Sequence, residues 1–164
     1  MFSHLGAKPP RGVLLCGTTG SGKSMLVNAL CGELEEIPFF KLSGPEIVSS
    51  LSGESESNIR GIFKDVMDEA PAVLFIDDID SIAGKKSSQF KDMEKRIVTQ
   101  LVSCIDDLEE CEKPVIVIGA TSRPENLDET LRRAGRFDRE LTLKVPSEED
   151  RSDIITVLTS EMRI

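Results

Sequence analysis

Residues 17–24 read Gly17-Thr18-Thr19-Gly20-Ser21-Gly22-Lys23-Ser24, a match to the pattern G-x-x-x-x-G-K-[ST]. They follow a short apolar run, Gly12-Val13-Leu14-Leu15-Cys16, and precede a segment from Met25 to Leu34 that reads as a helix. An apolar run of this kind fits a strand buried on both faces, which requires helices on both sides of a sheet. Strand, glycine turn and helix in direct succession leave the chain little choice of fold. The glycines let the backbone wrap tightly, so that successive N–H groups and the helix N-terminus converge on one point.

The rest of the chain supplies the sheet and the helices such a turn needs. Further strands are predicted at Pro38–Leu42, Ala72–Ile76 and Val115–Ala120, with a fifth at Glu140–Val145. The fifth alternates polar and apolar residues and belongs at an edge. Ser55 to Ala70 carries Ile59, Ile62, Phe63, Val66, Met67 and Ala70 on one helical stripe, and Pro71 stops it. Asp92 to Leu108 forms a second amphipathic helix, Leu127 to Arg133 a short one, and Ser147-Glu148-Glu149-Asp150 caps a last one running to about Met162. Ser81 to Phe90 reads as a polar loop. Strands alternating with helices give an α/β fold, a three-layer αβα sandwich on a five-stranded parallel sheet. The 164 residues fit one domain over 1–164.

Composition excludes several chemistries. The only histidine is His4, so a Ser-His-Asp site or a histidine metal site has almost no material. Cys16, Cys31, Cys104 and Cys111 show no C-x-x-C spacing and read as small buried hydrophobes in a reducing compartment. Lys and Arg total 20 against 29 Asp and Glu, a net charge of −9, which argues against direct nucleic-acid binding driven by counterion release. A small phosphate can still bind where local amides and a lysine outweigh the global field. No apolar run approaches a membrane span and no signal peptide is expected, so no membrane partner is expected. With seven Phe and no Trp or Tyr, there is little to stack bases upon.

The glycine turn therefore reads as a phosphate loop, for which the family resemblance carried by further motifs implies ATP or ADP. Gly17, Thr18, Thr19, Gly20, Ser21, Gly22, Lys23, Ser24 and Met25 are the candidate nucleotide-binding residues. Lys23 would reach the β- and γ-phosphates, and Ser24 would offer its hydroxyl to Mg²⁺. The strand ending in Asp77 and Asp78 is the natural partner. Asp77 would hold Mg²⁺ through water, and Asp78 would orient and polarise the attacking water. The plainer alternatives are a glycine-rich turn with an incidental lysine, and a solvated acidic turn formed by Asp77, Asp78 and Asp80.

Further motifs carry a resemblance. The chain contains Ser43-Gly44-Pro45-Glu46, Gly53-Glu54-Ser55-Glu56, Ala120-Thr121-Ser122-Arg123-Pro124, and Arg132-Arg133-Ala134-Gly135-Arg136-Phe137-Asp138-Arg139-Glu140. Together with the two nucleotide motifs these resemble the AAA family of ring ATPases, in its valosin-containing-protein branch, over nearly the whole chain. Lys113 to Thr121 followed by Arg133-Ala134-Gly135-Arg136 looks most like the first ATPase domain of the nuclear valosin-containing-protein-like group, which works in large ribosomal subunit maturation. The resemblance implies a P-loop NTPase large subdomain, a hexameric ring in the intact protein, and a protein or ribonucleoprotein substrate. It also implies a nuclear or nucleolar address, with the cytoplasm as the alternative. It assigns Arg136 and Arg139 as arginine fingers acting on a neighbouring subunit's γ-phosphate, and Ser122 as the sensor of the γ-phosphate or lytic water. Leu51, Ser52 and Gly53 fall at the loop facing the central pore, with Leu51 where many relatives carry an aromatic residue. A basic surface turn and a plain exposed loop are the simpler readings of these two segments.

Three departures from the family pattern stand out. Asp78 occupies the place of a glutamate, and Ser122 that of an asparagine. Both replacements are shorter, and a misplacement of about 1 Å can lower a rate ~10²-fold, so slow hydrolysis with retained binding is expected. The helical lid that follows in family members is missing, so the chain is expected to be the large subdomain of a longer protein, with weak nucleotide affinity and a monomeric state on its own. Two rivals keep part of this reading. One is an ATP-binding ring domain that hydrolyses little. The other is a phosphotransferase, for which there is no obvious acceptor domain.

Overall fold

The computed structural model describes residues 10–49, 54–82, 91–160 and 162. Five strands, β1 (Gly12–Gly17), β2 (Phe39–Ser43), β3 (Ala72–Asp77), β4 (Val115–Thr121) and β5 (Arg139–Leu143), form one sheet in the order β2-β3-β4-β1-β5. Every neighbouring pair is parallel. Among the described residues six α-helices accompany them: α1 (Lys23–Glu33), α2 (Gly44–Ser49), α3 (Glu54–Asp68), α4 (Ile79–Ile82), α5 (Lys91–Asp107) and α6 (Glu148–Thr159). The α/β fold with a five-stranded parallel sheet is the P-loop NTPase-like arrangement the sequence predicts.

Strand periodicity decides which side chains meet which layer. Leu14, Leu74, Ile76, Val115 and Val117 face one core, where α3 and α5 add Ile59, Phe63, Val66, Ile97, Leu101 and Ile105. Leu15, Val73, Phe75, Ile118 and Ala120 face the other, which α1 closes with Val27 and Cys31. Phe39 stacks on Phe75 there at 6.4 Å and 18°. Phe63 and Phe75 are almost wholly buried, each worth roughly 1.5–3 kcal/mol of hydrophobic stabilisation.

The sheet order has one consequence for chemistry. From β1 the chain crosses to β2 at the far edge and returns through β3 and β4. The C-terminal ends of β3, β4 and β1 thus lie side by side, where ligands bind in open parallel sheets. β5 lies at the opposite edge, as the sequence predicts.

The expected short helix at Leu127–Arg133 is absent; this segment is a series of turns. Asp128 Oδ1 accepts from the Thr130 N–H at 2.8 Å and from its hydroxyl at 2.6 Å, capturing groups that a helix would have used differently. Ser81 and Ile82 belong to α4 and not to a loop, and 83–90 lies outside the described residues. α6 is capped as predicted: Ser147 Oγ accepts from the Asp150 N–H and Asp150 Oδ2 from the Ser147 N–H. None of its residues is buried. Among the described residues, no helix is long and apolar enough to cross a membrane.

Candidate active site

The turn after β1 owes its shape to two glycines in the left-handed region, Gly20 at φ 84° and Gly22 at φ 88°. Gly22 caps α1, so that Lys23 and Ser24 form its first turn. Lys23 is buried, and all three of its donors are occupied. Its Nζ donates to the carbonyls of Gly17 at 2.9 Å and Thr18 at 3.0 Å, and to Ser122 Oγ at 3.1 Å. Ser24 Oγ donates to Asp77 Oδ2 at 2.8 Å, which joins the turn after β1 to the end of β3. Thr19 Oγ1 donates to Ser122 Oγ at 3.3 Å, which joins it to the end of β4. Thr18 and Thr19 are exposed, Ser21 half-buried, and Met25 is 72% exposed on the outer side of α1.

The predicted phosphate loop, the acidic strand end and Ser122 thus form one hydrogen-bonded constellation. Two features of it fit a phosphate ligand. The buried Ser21 hydroxyl has no protein partner, and a Cβ at Gly20 would meet open space. A divalent cation also fits: the Ser24 hydroxyl and the Asp77 carboxylate place two hard oxygen donors side by side, which suits Mg²⁺ held by Ser24 and, through water, by Asp77. Among the described residues no cluster of three or more His, Cys, Asp or Glu could hold a metal alone.

Asp78 sits at φ 49°, in the left-handed region. Burial holds its carboxyl above the ordinary range, and the charges of Asp77 and Asp80 push the same way, with Lys23 opposing. Its carbonyl is held by the Ser81 hydroxyl at 2.7 Å and the Ser81 N–H at 2.9 Å. Burial raises the Cys16 and Cys104 thiols, which agrees with a packing role for both.

The two expected arginine fingers differ. Arg136 is engaged in cis: Nε and Nη2 fork onto Asp106 at 2.7 and 2.8 Å, and Nη1 donates to the Thr130 carbonyl at 2.5 Å. The fork holds the Asp106 carboxyl below its ordinary value and the guanidinium above its own. Arg139 opens β5, is exposed, and makes no ion pair among the described residues. Between them Phe137, 1% exposed, anchors the segment in the core. A Cβ at Gly12 would collide with the Arg136 carbonyl, so β1 needs glycine there for the segment to pass. Arg132 pairs with Glu140 at 2.7 Å. Leu51, Ser52 and Gly53 lie outside the described residues.

The sequence reading missed four residues that shape this region. Asp80 accepts from the buried Thr121 hydroxyl at 2.8 Å, Lys41 reaches Asp77 at 3.9 Å, and Asp106 holds Arg136. Lys41 was the most accessible of the four, since it lies on β2, two residues before the partner of Asp77 in the parallel register.

The profile of the family described as "ATPase family associated with various cellular activities (AAA)" matches residues 13–145. The chain is 49% identical over 166 residues to "Nuclear valosin-containing protein-like" of Mus musculus, covering 100% of this chain and 19% of that protein. It is 47% identical over 168 residues to "Ribosome biogenesis ATPase RIX7" of Saccharomyces cerevisiae, covering 100% and 20%. It is 45% identical over 162 residues to "Cell division cycle protein 48 homolog" of Archaeoglobus fulgidus, covering 99% and 22%. The chain therefore spans about a fifth of the length of these relatives. With a family profile covering most of its length and such relatives matching throughout, the chain belongs to the AAA family of ATPases.

Proposed function

We propose that this domain binds ATP on Gly17–Ser24 and Met25 and hydrolyses it slowly, as the large subdomain of a longer protein that works as a hexameric ring. The observation that carries the reading is the 2.8 Å bond from Ser24 to Asp77, together with Lys23 seated between the loop carbonyls and Ser122. These bonds tie the turn after β1 to the ends of β3 and β4, which supports the reading.

Each residue then has a defined task. The loop amides and Lys23 neutralise the phosphates, and Lys23 exchanges the Ser122 oxygen for a phosphate oxygen. Ser24 and Asp77 would hold Mg²⁺, which would neutralise charge on the phosphates. Asp78 orients the attacking water, while Ser122 contacts that water or the γ-phosphate. Arg136 and Arg139 act on the γ-phosphate of a neighbouring subunit, with guanidinium groups that fork onto its oxygens. In the ring, hydrolysis moves the loop near Leu51, Ser52 and Gly53 against a protein or ribonucleoprotein substrate. The names of two relatives, one nuclear and one a ribosome biogenesis ATPase, support maturation of the large ribosomal subunit in the nucleus or nucleolus as the setting.

A second reading, an ATP-binding ring position with little hydrolysis, is favoured by the short side chain of Asp78 and its left-handed backbone. Calorimetry on the complete protein tests the first step. Uptake of Mg-ATP that Lys23→Ala abolishes is the expected result, and uptake untouched by Lys23→Ala overturns the assignment. Tight uptake with negligible turnover in the assembled ring selects the second reading.

A further inference from the structure

Two strand ends carry the residues assigned to hydrolysis: Asp77–Asp78 at the end of β3, and Thr121–Ser122–Arg123 at the end of β4. One buried hydroxyl joins them. Thr121 is 0% exposed, and its Oγ1 donates to Asp80 Oδ1 at 2.8 Å and accepts from the Arg123 N–H at 3.0 Å. A threonine hydroxyl has a single proton. Once that proton points to Asp80, the oxygen's lone pairs are left for the Arg123 amide, which closes the turn around Ser122. An uncompensated hydroxyl in a dry site is unfavourable, so both bonds are strongly held.

The anchor at the other end is rigid. Asp80 lies on α4 between Ile79 and Ile82, both 0% exposed, and Ser81 ties α4 back to the Asp78 carbonyl. Extending the parallel register that pairs Ile76 with Gly119 places the turn after β3 directly beside Thr121.

We propose that Asp80 is a positioning residue for the hydrolytic step: through the Thr121 hydroxyl it fixes the turn bearing Ser122 against the strand end bearing Asp77 and Asp78. The proposal rests on the ATPase reading above and adds to it a residue that touches neither nucleotide nor metal. Its function is to make the sensor and the water-orienting acid move as one body. Breaking the relay leaves Lys23, Ser24 and Asp77 in place, so it affects the rate and not the uptake of nucleotide.

The test is steady-state hydrolysis by the complete protein, with kcat and KM for ATP separated. Asp80→Ala and Thr121→Val each lower kcat by about tenfold to a hundredfold with KM changed less than about threefold, as expected for displaced but present groups. The double variant is no slower than the slower single one, because both remove the same relay. Thr121→Ser restores kcat to within about threefold of the parent, since it keeps the hydroxyl. Losses that add, an unchanged kcat in Thr121→Val, or kcat and KM moving together overturn the proposal. Amide hydrogen exchange at Arg123 gives an independent readout that needs no turnover. It accelerates in Asp80→Ala and in Thr121→Val if the relay closes the turn, and unchanged exchange there refutes it. Should Asp80→Ala fail to fold, Thr121→Val carries the comparison alone, and Asp80→Asn, which keeps the accepting oxygen, retains kcat to within about threefold of the parent if the relay acts through that bond. The Lys23→Ala uptake experiment stays separate: if it fails, the ATPase reading falls, whereas a failed relay test with intact uptake removes only Asp80.

Discussion

Lys23 and Arg136 are both cations held by three hydrogen bonds, but the partners differ in kind. Lys23 is held by two carbonyls and a hydroxyl, all neutral oxygens. Arg136 is held by a carboxylate fork reinforced by a third bond to a carbonyl. A phosphate displaces neutral oxygens around an ammonium with little opposition, because charge-assisted bonds are about twice as strong as neutral ones. The same phosphate meets an equal competitor at Arg136. On the proposed reading the phosphate loop is preorganised for a ligand, while Arg136 would have to leave its Asp106 fork to reach another subunit. Arg139, exposed on β5, makes no such contact among the described residues.

Breaking this contrast begins with the arginines. Arg136→Ala and Arg139→Ala should each lower turnover of the assembled protein by about 10³-fold or more while nucleotide affinity holds, the usual worth of an arginine finger. A loss confined to Arg139→Ala would show that Asp106 keeps Arg136 from the neighbour's site. Next, Phe137→Ala should destabilise the fold by about 3–5 kcal/mol in denaturant unfolding, since this ring anchors the segment in the core. Asp78→Glu should raise kcat by up to ~10²-fold by restoring the missing methylene. No gain would count against the short-reach account of slow turnover.

The smallest effect concerns the fork itself. Asp106→Asn should lower stability by no more than about 1 kcal/mol at pH 7, because the pair is partly exposed. The sign with pH follows from the depressed Asp106 carboxyl. Its contribution is present above the unfolded carboxylate pKa of about 3.9 and is lost as pH falls through the lower folded value. Thermal unfolding of both proteins should therefore differ at neutral pH and converge in strong acid. A difference that persists there would assign the effect to packing.

The centre of the sheet was legible because β1, β3 and β4 are short apolar runs that are mostly buried, and the phosphate turn because its residues are contiguous. Where side chains compete with the backbone, periodicity failed. Asp128 and Thr130 turned an apparent helix into turns, and Gly44–Ser49 and Ile79–Ile82 are too short to show a repeat. At the site, residues joined by the motif were readable, but the links across strands were not. Asp80 meets Thr121 and Asp106 meets Arg136 only because the sheet order brings distant segments together. The positive φ of Asp78 and the occupied state of Lys23 follow from that packing and leave no trace in residue spacing.

One helix remains outside this network. α6 has a good cap but no buried residue, and Ile155, Val157 and Leu158 are 60–71% exposed. A helix of 12 residues without tertiary support is marginal in water. Its amide protons should therefore trade with solvent far sooner than those of β1, β3 and β4, in a local opening that leaves the sheet closed. Whatever comes to rest on those aliphatic side chains would set the lifetime of the helix, so protection of α6 against exchange reports on its company and not on the strength of the domain.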